Sequence, residues 1–178
     1  VAGRVLQVTD IRPGRTASVS YTYNTGGQVA EMRTSDGSRT TYTWGSLGEL
    51  RRISGPLGTT EYTYQTTGQF APLRVGVRTG PLRTTLTYDG LGRIETVRQA
   101  VQGADGGVDR TTRAGYDAVG NTIAIETPEG TRSYVYDALD RLVAYTDLEG
   151  VQTTYEYDAV GNRTRLTVEG QKPVTYRY

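Results

Sequence analysis

The sequence predicts an all-β protein, an antiparallel repeat array of β-hairpins that forms a long curved or spiralling sheet. Two observations lead to this prediction: a motif that recurs about every 20 residues, and a composition rich in tyrosine and glycine. The 178 residues include 14 Tyr and 23 Gly, but one Phe, one Met and one Trp. Tyrosine suits the half-buried surface of a sheet, and glycine is common in turns. A unit this short must stack on its neighbours to bury apolar surface.

Eight aromatic residues mark the repeat. They follow one another at steps of 21, 20, 24, 28, 20, 21 and 21 residues: Tyr23, Trp44, Tyr64, Tyr88, Tyr116, Tyr136, Tyr157 and Tyr178. Each copy therefore has room for two strands and two turns. We expect residues 1–178 to form a single array of about seven to eight copies, and we expect the chain to be a fragment of a longer protein.

The first element of each copy is a strand that ends at the aromatic marker. In the last complete copy, Thr153, Tyr155 and Tyr157 have one parity, whereas Thr154 and Glu156 have the other. This period of two residues is typical of a half-buried strand. The sequence therefore predicts that alternate tyrosines lie on one face of the sheet.

A turn with the pattern Asp-x-x-Gly follows this strand. The aspartate can accept hydrogen bonds from nearby backbone N–H groups, and the glycine can adopt a positive φ, as in a type I turn followed by a left-handed residue. We assign a structural role to the markers up to Tyr157 and to the turn residues Gly27, Gly48, Gly68, Asp89, Gly92, Asp117, Gly120, Asp137, Asp158 and Gly161. Asp140 occupies the glycine position of its copy.

The return strand carries apolar residues at two positions counted from the glycine. The fifth position is apolar or aromatic in seven copies: Met32, Ile53, Leu73, Val97, Ile125, Tyr145 and Leu166. The second position is apolar in five: Val29, Leu50, Phe70, Ile94 and Leu142. Positions two and five have opposite parity, so a regular strand could not direct both at one core. We therefore predict a β-bulge or twist just past the turn.

A second turn closes each copy. Turn residues occur at Asp36-Gly37, at Pro56 to Gly58, at Pro128 to Gly130 and at Leu148 to Gly150. The two longer steps contain residues 71–81 and 102–108. We interpret them as lengthened strands with a projecting hairpin tip. The alternative is a contact loop, because protruding loops on a rigid scaffold commonly carry binding residues.

The composition restricts the chemistry of the chain. It contains no His and no Cys, which excludes metal sites and catalytic triads built on those residues. A net charge of +1 gives no general attraction for nucleic acid, and no run of 18 apolar residues predicts a membrane span. The recurrent aspartates are interpreted as turn residues, with calcium ligation and catalysis as alternatives. We therefore predict no enzyme activity, no cofactor and no metal.

The Tyr-Asp-x-x-Gly-Asn/Arg unit resembles the YD repeat of the Rhs family, which also occurs in insecticidal toxin-complex subunits, bacterial wall-associated proteins and animal teneurins. The similarity is strongest from Tyr116 onward, where Tyr-Asp-Ala-Val-Gly-Asn occurs twice and Tyr-Asp-Ala-Leu-Asp-Arg once. Earlier copies depart from the pattern. Asn24, Gly45 and Gln65 stand where Asp is expected, and Trp44 replaces Tyr.

The resemblance implies a β-strip that spirals into a hollow shell, in many cases around a toxic C-terminal domain. We expect a non-catalytic segment that encapsulates or presents a toxin or effector domain in a larger bacterial protein, secreted or at the cell surface. Its expected partners are the remaining repeats, core and effector domain of its parent chain. The alternative is a glycan-binding or adhesion module, since stacked tyrosines can bind sugars. We also expect self-association through exposed edge strands.

Overall fold

The computed structural model describes residues 3–103, 107 and 109–178. Within these residues the chain forms sixteen strands joined by turns and contains no helix. Their bounds are β1 Gln7–Arg12, β2 Arg15–Tyr23, β3 Val29–Thr34, β4 Arg39–Trp44, β5 Leu50–Gly55, β6 Gly58–Gln65, β7 Leu73–Thr79, β8 Leu82–Tyr88, β9 Ile94–Val101, β10 Asp109–Tyr116, β11 Thr122–Thr127, β12 Gly130–Tyr136, β13 Leu142–Thr146, β14 Gln152–Tyr157, β15 Arg163–Val168 and β16 Val174–Thr175.

The strands follow one another in chain order in one unclosed sheet, from β1 to β16. Every strand pair whose register the structure describes is antiparallel, as in β2 with β3 and β14 with β15. The predicted all-β array of antiparallel hairpins is therefore confirmed. The predicted curvature of the sheet stays a prediction.

The chain divides into two compact units. One unit contains the residues up to Leu86 and the segment that begins at Gln99, and the other contains Thr87–Arg98 and Asp109–Tyr178. Complete hairpins with the same register occur in each unit. The single array of seven to eight copies over residues 1–178 stays a prediction.

A β-bulge lies just past the Asp-x-x-Gly turn, or its equivalent, in six hairpins whose register the structure describes. In the hairpin of β2 and β3, Thr22 lies opposite Glu31 whereas Tyr23 lies opposite Val29, so Ala30 is an extra residue on β3. The same shift occurs beside the markers Trp44, Tyr64, Tyr116, Tyr136 and Tyr157. The bulge reverses the parity between positions two and five of the return strand, so both face the same side. The prediction of a bulge is confirmed.

Cross-strand pairs form a thin apolar seam along the sheet. Tyr134 lies opposite Tyr145, with ring centroids 5.3 Å apart and planes inclined at 38°. Equivalent pairs are Tyr21–Met32, Tyr42–Ile53, Tyr62–Val77, Ala114–Ile125 and Tyr155–Leu166. All these residues are half-buried, and in the described part of the chain Leu86 is the one hydrophobic residue classed as buried. Packing energy is therefore distributed over many modest pairs.

The third copy differs from the predicted alignment. Tyr64 lies opposite Arg74 and Tyr62 lies opposite Val77, so Arg74 and Val77 take the second and fifth positions. The assignment of Phe70 and Leu73 to those positions was wrong. Phe70 lies in the turn and Leu73 lies opposite Gln65, because the additional residues of this copy are inserted in the turn between β6 and β7. The interpretation of residues 71–81 as lengthened strands with a projecting tip was therefore wrong, since only Gly80 and Pro81 connect β7 to β8.

The second turns lie where the sequence predicts them. Pro56 and Leu57 connect the paired residues Gly55 and Gly58, and Pro128 and Glu129 connect Thr127 and Gly130. In the 28-residue step, β9 and β10 are lengthened to eight residues each. Part of the predicted tip at residues 102–108 lies outside the described residues.

Candidate functional site

The motif residues gather at the contacts between one hairpin and the next. We define a repeat junction as the Asp-x-x-Gly turn of one copy, the residue that follows its glycine position, and the aromatic marker and turn of the next copy. Junctions recur along the chain, and the conformation of each turn determines which groups reach its neighbour.

The aspartate of the turn organises the local backbone. Asp137 Oδ1 accepts hydrogen bonds from the N–H groups of Leu139 (2.9 Å) and Arg141 (3.0 Å). Its own N–H donates to the Arg141 carbonyl at 3.0 Å. Equivalent side-chain bonds occur at Asp89, Asp117 and Asp158. The glycine position has a positive φ in every copy, from 59° at Asp140 to 110° at Gly120.

These hydrogen bonds favour the ionised form of the aspartates. The bond from the Arg141 backbone N–H, opposed by burial and helped by the Arg141 side chain, lowers the pKa of Asp137. At Asp89, Asp117 and Asp158, burial acts to raise the pKa, but the combined hydrogen bonds outweigh it and the pKa is again lowered. At neutral pH the turn therefore contains a charged acceptor.

The aromatic marker of several copies binds the backbone of the preceding hairpin. Tyr157 Oη donates a hydrogen bond to the Leu142 carbonyl, and Tyr116 Oη donates to the Ile94 carbonyl, each at 2.8 Å. Trp44 Nε1 donates to the Val29 carbonyl at the same distance. The acceptor is in each case the second residue after the glycine position. The replacement of Tyr by Trp44 therefore preserves the donor.

This bond closes a gap in the backbone ladder between hairpins. Among the described residues, the register of β13 with β14 covers Ala144–Thr154 to Thr146–Gln152, which is the half of the strands remote from the turn at Asp158. On the side of that turn, the Tyr157 hydroxyl makes the connection instead. The tyrosine thus supplies a donor where the bulged strand and its neighbour separate.

The residue that follows the glycine position is the second link of the junction. Arg141 Nε donates to Asp137 Oδ2 at 2.7 Å, and its Nη1 donates to the Asp158 carbonyl of the next copy at 3.1 Å. Its guanidinium carbon lies 4.8 Å from the centroid of the Tyr157 ring. One arginine therefore holds its own turn, the next turn and the next aromatic marker through charge-assisted hydrogen bonds and a cation–π contact.

Other polar residues at this position make all or some of the same contacts. Arg93 repeats the arrangement with Asp89, the Asp117 carbonyl and the Tyr116 ring. Asn121 Nδ2 donates to Asp117 Oδ2 and to Asp140 Oδ1 of the next copy. Gln28 Nε2 donates to the Gly48 carbonyl at 3.1 Å. Sequence reasoning missed this role, although the alternation of Asn and Arg after the glycine position was a visible signal.

The second copy builds its turn with a different residue. Gly45 stands at the aspartate position, and Glu49, which follows Gly48, places its carboxylate in the space that a Cβ on Gly45 would need. Glu49 Oε2 accepts a hydrogen bond from the Leu47 N–H at 3.0 Å, as Asp137 does from Leu139. The Glu49 side chain is 2% exposed and forms an ion pair with Arg51. The Arg51 guanidinium lies 5.5 Å from the centroid of the Tyr64 ring.

The remaining predicted residues occupy the same junctions. Tyr23 Oη donates to the Val5 carbonyl at 2.6 Å, with Arg4 over its ring, and Gln65 Nε2 donates to the Thr67 carbonyl next to Gly68. Burial raises the pKa of Tyr64 and of Tyr136, in keeping with rings packed between strands. Tyr88 is half-buried at the end of β8.

Over the described ranges, no three His, Cys, Asp or Glu side chains are arranged to hold a common metal ion. In the same part of the chain, no helix is long and apolar enough to cross a membrane.

The strand order and the junctions define the chain as a β-hairpin repeat array. The RHS Repeat family model matches residues 116–152 and 136–173. The resemblance to the Rhs family is thereby confirmed.

Solved structures share the fold. A crystal structure of TcdB2-TccC3 covers 88% of the chain with a TM-score of 0.70 and 16% identity, and one without the hypervariable C-terminal region covers 92% with a TM-score of 0.68 and 16% identity. The Tc holotoxin pore of Photorhabdus luminescens covers 86% with a TM-score of 0.66 and 15% identity. The chain spans about a tenth of the length of these proteins, 10%, 10% and 9% respectively.

Replacement of Tyr157 by Phe is expected to lower the free energy of unfolding by about 0.5 to 1.5 kcal/mol, because it removes the donor to the Leu142 carbonyl. Tyr155→Phe is the matched control, since in the described chain the Tyr155 hydroxyl makes no hydrogen bond. Urea unfolding of both variants measures the difference. Equal losses in the two would show that the hydroxyl does not hold the junction.

The turn of the second copy predicts a reciprocal exchange. Gly45→Asp alone is expected to lower the melting temperature, because the new side chain overlaps the Glu49 carboxylate. Glu49→Asn alone is expected to lower it by leaving the Leu47 N–H without its acceptor. The double variant recreates the Asp-x-x-Gly-Asn turn of Asp117 and is expected to melt close to the wild type. Calorimetry measures the melting temperatures. A double variant whose decrease in melting temperature equals the sum of the two single decreases would contradict this account.

Proposed function

We propose that this chain is a non-catalytic wall segment of an Rhs-type shell that encapsulates or presents a C-terminal toxin or effector domain. The observation that carries the proposal is the use of the motif residues. The turn aspartates, the residues after the glycine position and the aromatic markers bind neighbouring hairpins in junction after junction. These side chains support extension of the sheet, and none of them requires a substrate.

The mechanism of such a wall is mechanical. Backbone ladders join each hairpin to the next on the side remote from the Asp-x-x-Gly turn, and the junctions join them on the other side. Deformation of one hairpin relative to the next must therefore break both backbone and side-chain bonds. This cooperation suits a container that must stay closed, because stability in such arrays depends on nearest-neighbour contacts.

The comparisons support the context of this proposal. The RHS Repeat match within residues 116–173 and the fold shared with the Tc holotoxin pore are consistent with a segment of a larger toxin assembly. We propose that the parent protein is secreted by a bacterium as part of such an assembly. Its partners would then be the other repeats, the core and the effector domain of its own chain.

Glycan binding through the tyrosines is the competing proposal. Tyr134 and Tyr145 contact each other, and the hydroxyls of Tyr116 and Tyr157 are engaged by backbone carbonyls, which leaves these groups less free to bind sugars. The wall function is therefore favoured. Specific binding of the chain on a glycan array, lost in Tyr145→Ala, would favour adhesion.

Protection of the effector domain tests the wall function. In the full-length parent protein, the domain that follows the repeats is expected to resist protease, and Tyr157→Ala is expected to make it sensitive by opening a junction. Glu156→Ala is the control, because its exposed ion pair with Arg165 contributes little to stability. Cleavage of that domain in the wild type as rapidly as in Tyr157→Ala would overturn the proposal.

Self-association would follow from the edge strand β1. This strand lies at one end of the strand order, and all six of its residues are exposed, with Ile11 at 76% and Val8 at 53%. We propose that β1 pairs with another repeat in the parent protein and with a second copy when the chain is isolated. Light scattering is expected to give a mass that rises with concentration. A monomer at every concentration would contradict this.

A further inference from the structure

Four charged residues form one row across the strands β5 to β8. Arg52 lies opposite Glu61, Glu61 lies opposite Arg78, and Arg78 lies opposite Arg83. Directly opposed residues project from the same face of a sheet. The row, which we call the arginine rung, therefore places three guanidinium groups and one carboxylate side by side, and all four residues are exposed.

Two arginines stand next to each other in this row without a carboxylate between them. The Cβ atoms of directly opposed residues are about 4.5 to 5.5 Å apart, and like charges in such pairs are destabilising. Within the described chain, neither Arg78 nor Arg83 forms an ion pair, and Glu61 lies 3.9 Å from Arg52 on its other side. The rung therefore carries an uncompensated positive charge.

A second arginine pair shows how a shared carboxylate partly compensates the same arrangement elsewhere. Arg33 and Arg39 are also directly opposed, in β3 and β4. Glu31 forms ion pairs with both, using Oε1 for Arg33 and Oε2 for Arg39. An acidic residue thus bridges one pair of arginines, and none bridges the other pair in the described chain. An anion bound between Arg78 and Arg83 would take the place of that carboxylate.

The sheet surface beside the rung is hollow. Gly76 lies between Thr63 and Thr85 on the adjacent row, and these three residues line a cavity of about 350 Å³. Arg78 and Arg83 line this cavity together with both threonines. A second hollow of about 530 Å³ adjoins it and contains Arg52 and Arg78. Two arginines, two threonines and Glu61 therefore line a space larger than a single ion.

We propose that the arginine rung binds a sulfate or phosphate group. A guanidinium presents paired N–H donors that match two oxygens of a tetrahedral oxyanion, and two guanidiniums side by side can share one such group. The hydroxyls of Thr63 and Thr85 can donate to the remaining oxygens. The second hollow, towards Arg52, leaves room for the molecule that carries the group. This site is separate from the repeat junctions and goes beyond the wall function.

Titration of the intact chain with sodium sulfate tests the site. In ¹H–¹⁵N spectra the Nε–H signals of Arg78 and Arg83 are expected to shift saturably with sulfate and not with chloride at equal ionic strength. Arg83→Gln is expected to weaken binding at least about five-fold, because it removes one bidentate donor. Arg39→Gln is the matched control, since it alters the arginine pair that Glu31 bridges, and is expected to leave the affinity unchanged.

Two further measurements separate this site from general charge attraction. Glu61→Gln is expected to increase sulfate affinity by about two-fold or more, because it removes the one negative charge of the rung. Arg83→Gln is expected to unfold at the same or a higher urea concentration than the wild type, since it relieves repulsion between opposed arginines. The urea measurement would also detect a failure of Arg83→Gln to fold. In that case Arg78→Gln would be used in the sulfate titration instead.

The source of the oxyanion is distinguished by the probe. A sulfated oligosaccharide that binds at least about ten-fold more tightly than inorganic sulfate would identify a carried group as the ligand, and equal affinity would identify the free ion. An aspartate-rich peptide that bound the same residues as tightly as the oligosaccharide would overturn the oxyanion assignment. So would the absence of saturable shifts with both sulfate probes, or equal weakening in Arg83→Gln and Arg39→Gln.

Discussion

The structure depends on contacts between neighbouring hairpins, because a single sheet with half-buried side chains has no deep core to hold it together. Each cross-strand pair contributes at most about 1 kcal/mol. The bulge that lets positions two and five of the return strand face one side also separates this strand from the next hairpin near the turn. The same deviation that gathers the apolar seam therefore creates the gap that the junction must close.

The junction explains why the repeat tolerates variation at some positions. Each position requires a hydrogen-bond donor or acceptor at a particular point in the junction, and several residue types can supply it. Trp44 provides the N–H that a tyrosine hydroxyl provides elsewhere, and Glu49 reaches the acceptor position left by Gly45. Gln28 makes with its amide the forward contact that Arg141 makes with its guanidinium. A departure from the motif is therefore compensated when its neighbour changes too.

The hairpins, the bulge and the apolar seam could be predicted from the sequence, because they follow from the period of two residues and from turn chemistry. The third copy was misaligned because an insertion in the turn shifts the return strand along the sequence without disturbing its alternation of residues. Phe70 and Leu73 were therefore assigned to the second and fifth positions, which Arg74 and Val77 occupy. The forward contacts of Arg141 could not be derived, since they depend on where the next hairpin lies. The Glu49 carboxylate was missed because it enters its own turn from the position after the glycine and not from the aspartate position.

The two roles inferred for this chain use different faces of the same strands. In β6, Tyr62 and Tyr64 have the parity of the seam and the junction, whereas Glu61 and Thr63 have the opposite parity and line the hollow beside the arginine rung. Strand geometry therefore separates the residues that hold the array together from those that are free to acquire a ligand. In β3 and β4 the free face carries Glu31 in ion pairs with two arginines, whereas in β7 and β8 no carboxylate bridges the opposed arginines. A binding site can thus arise at one rung without altering any junction.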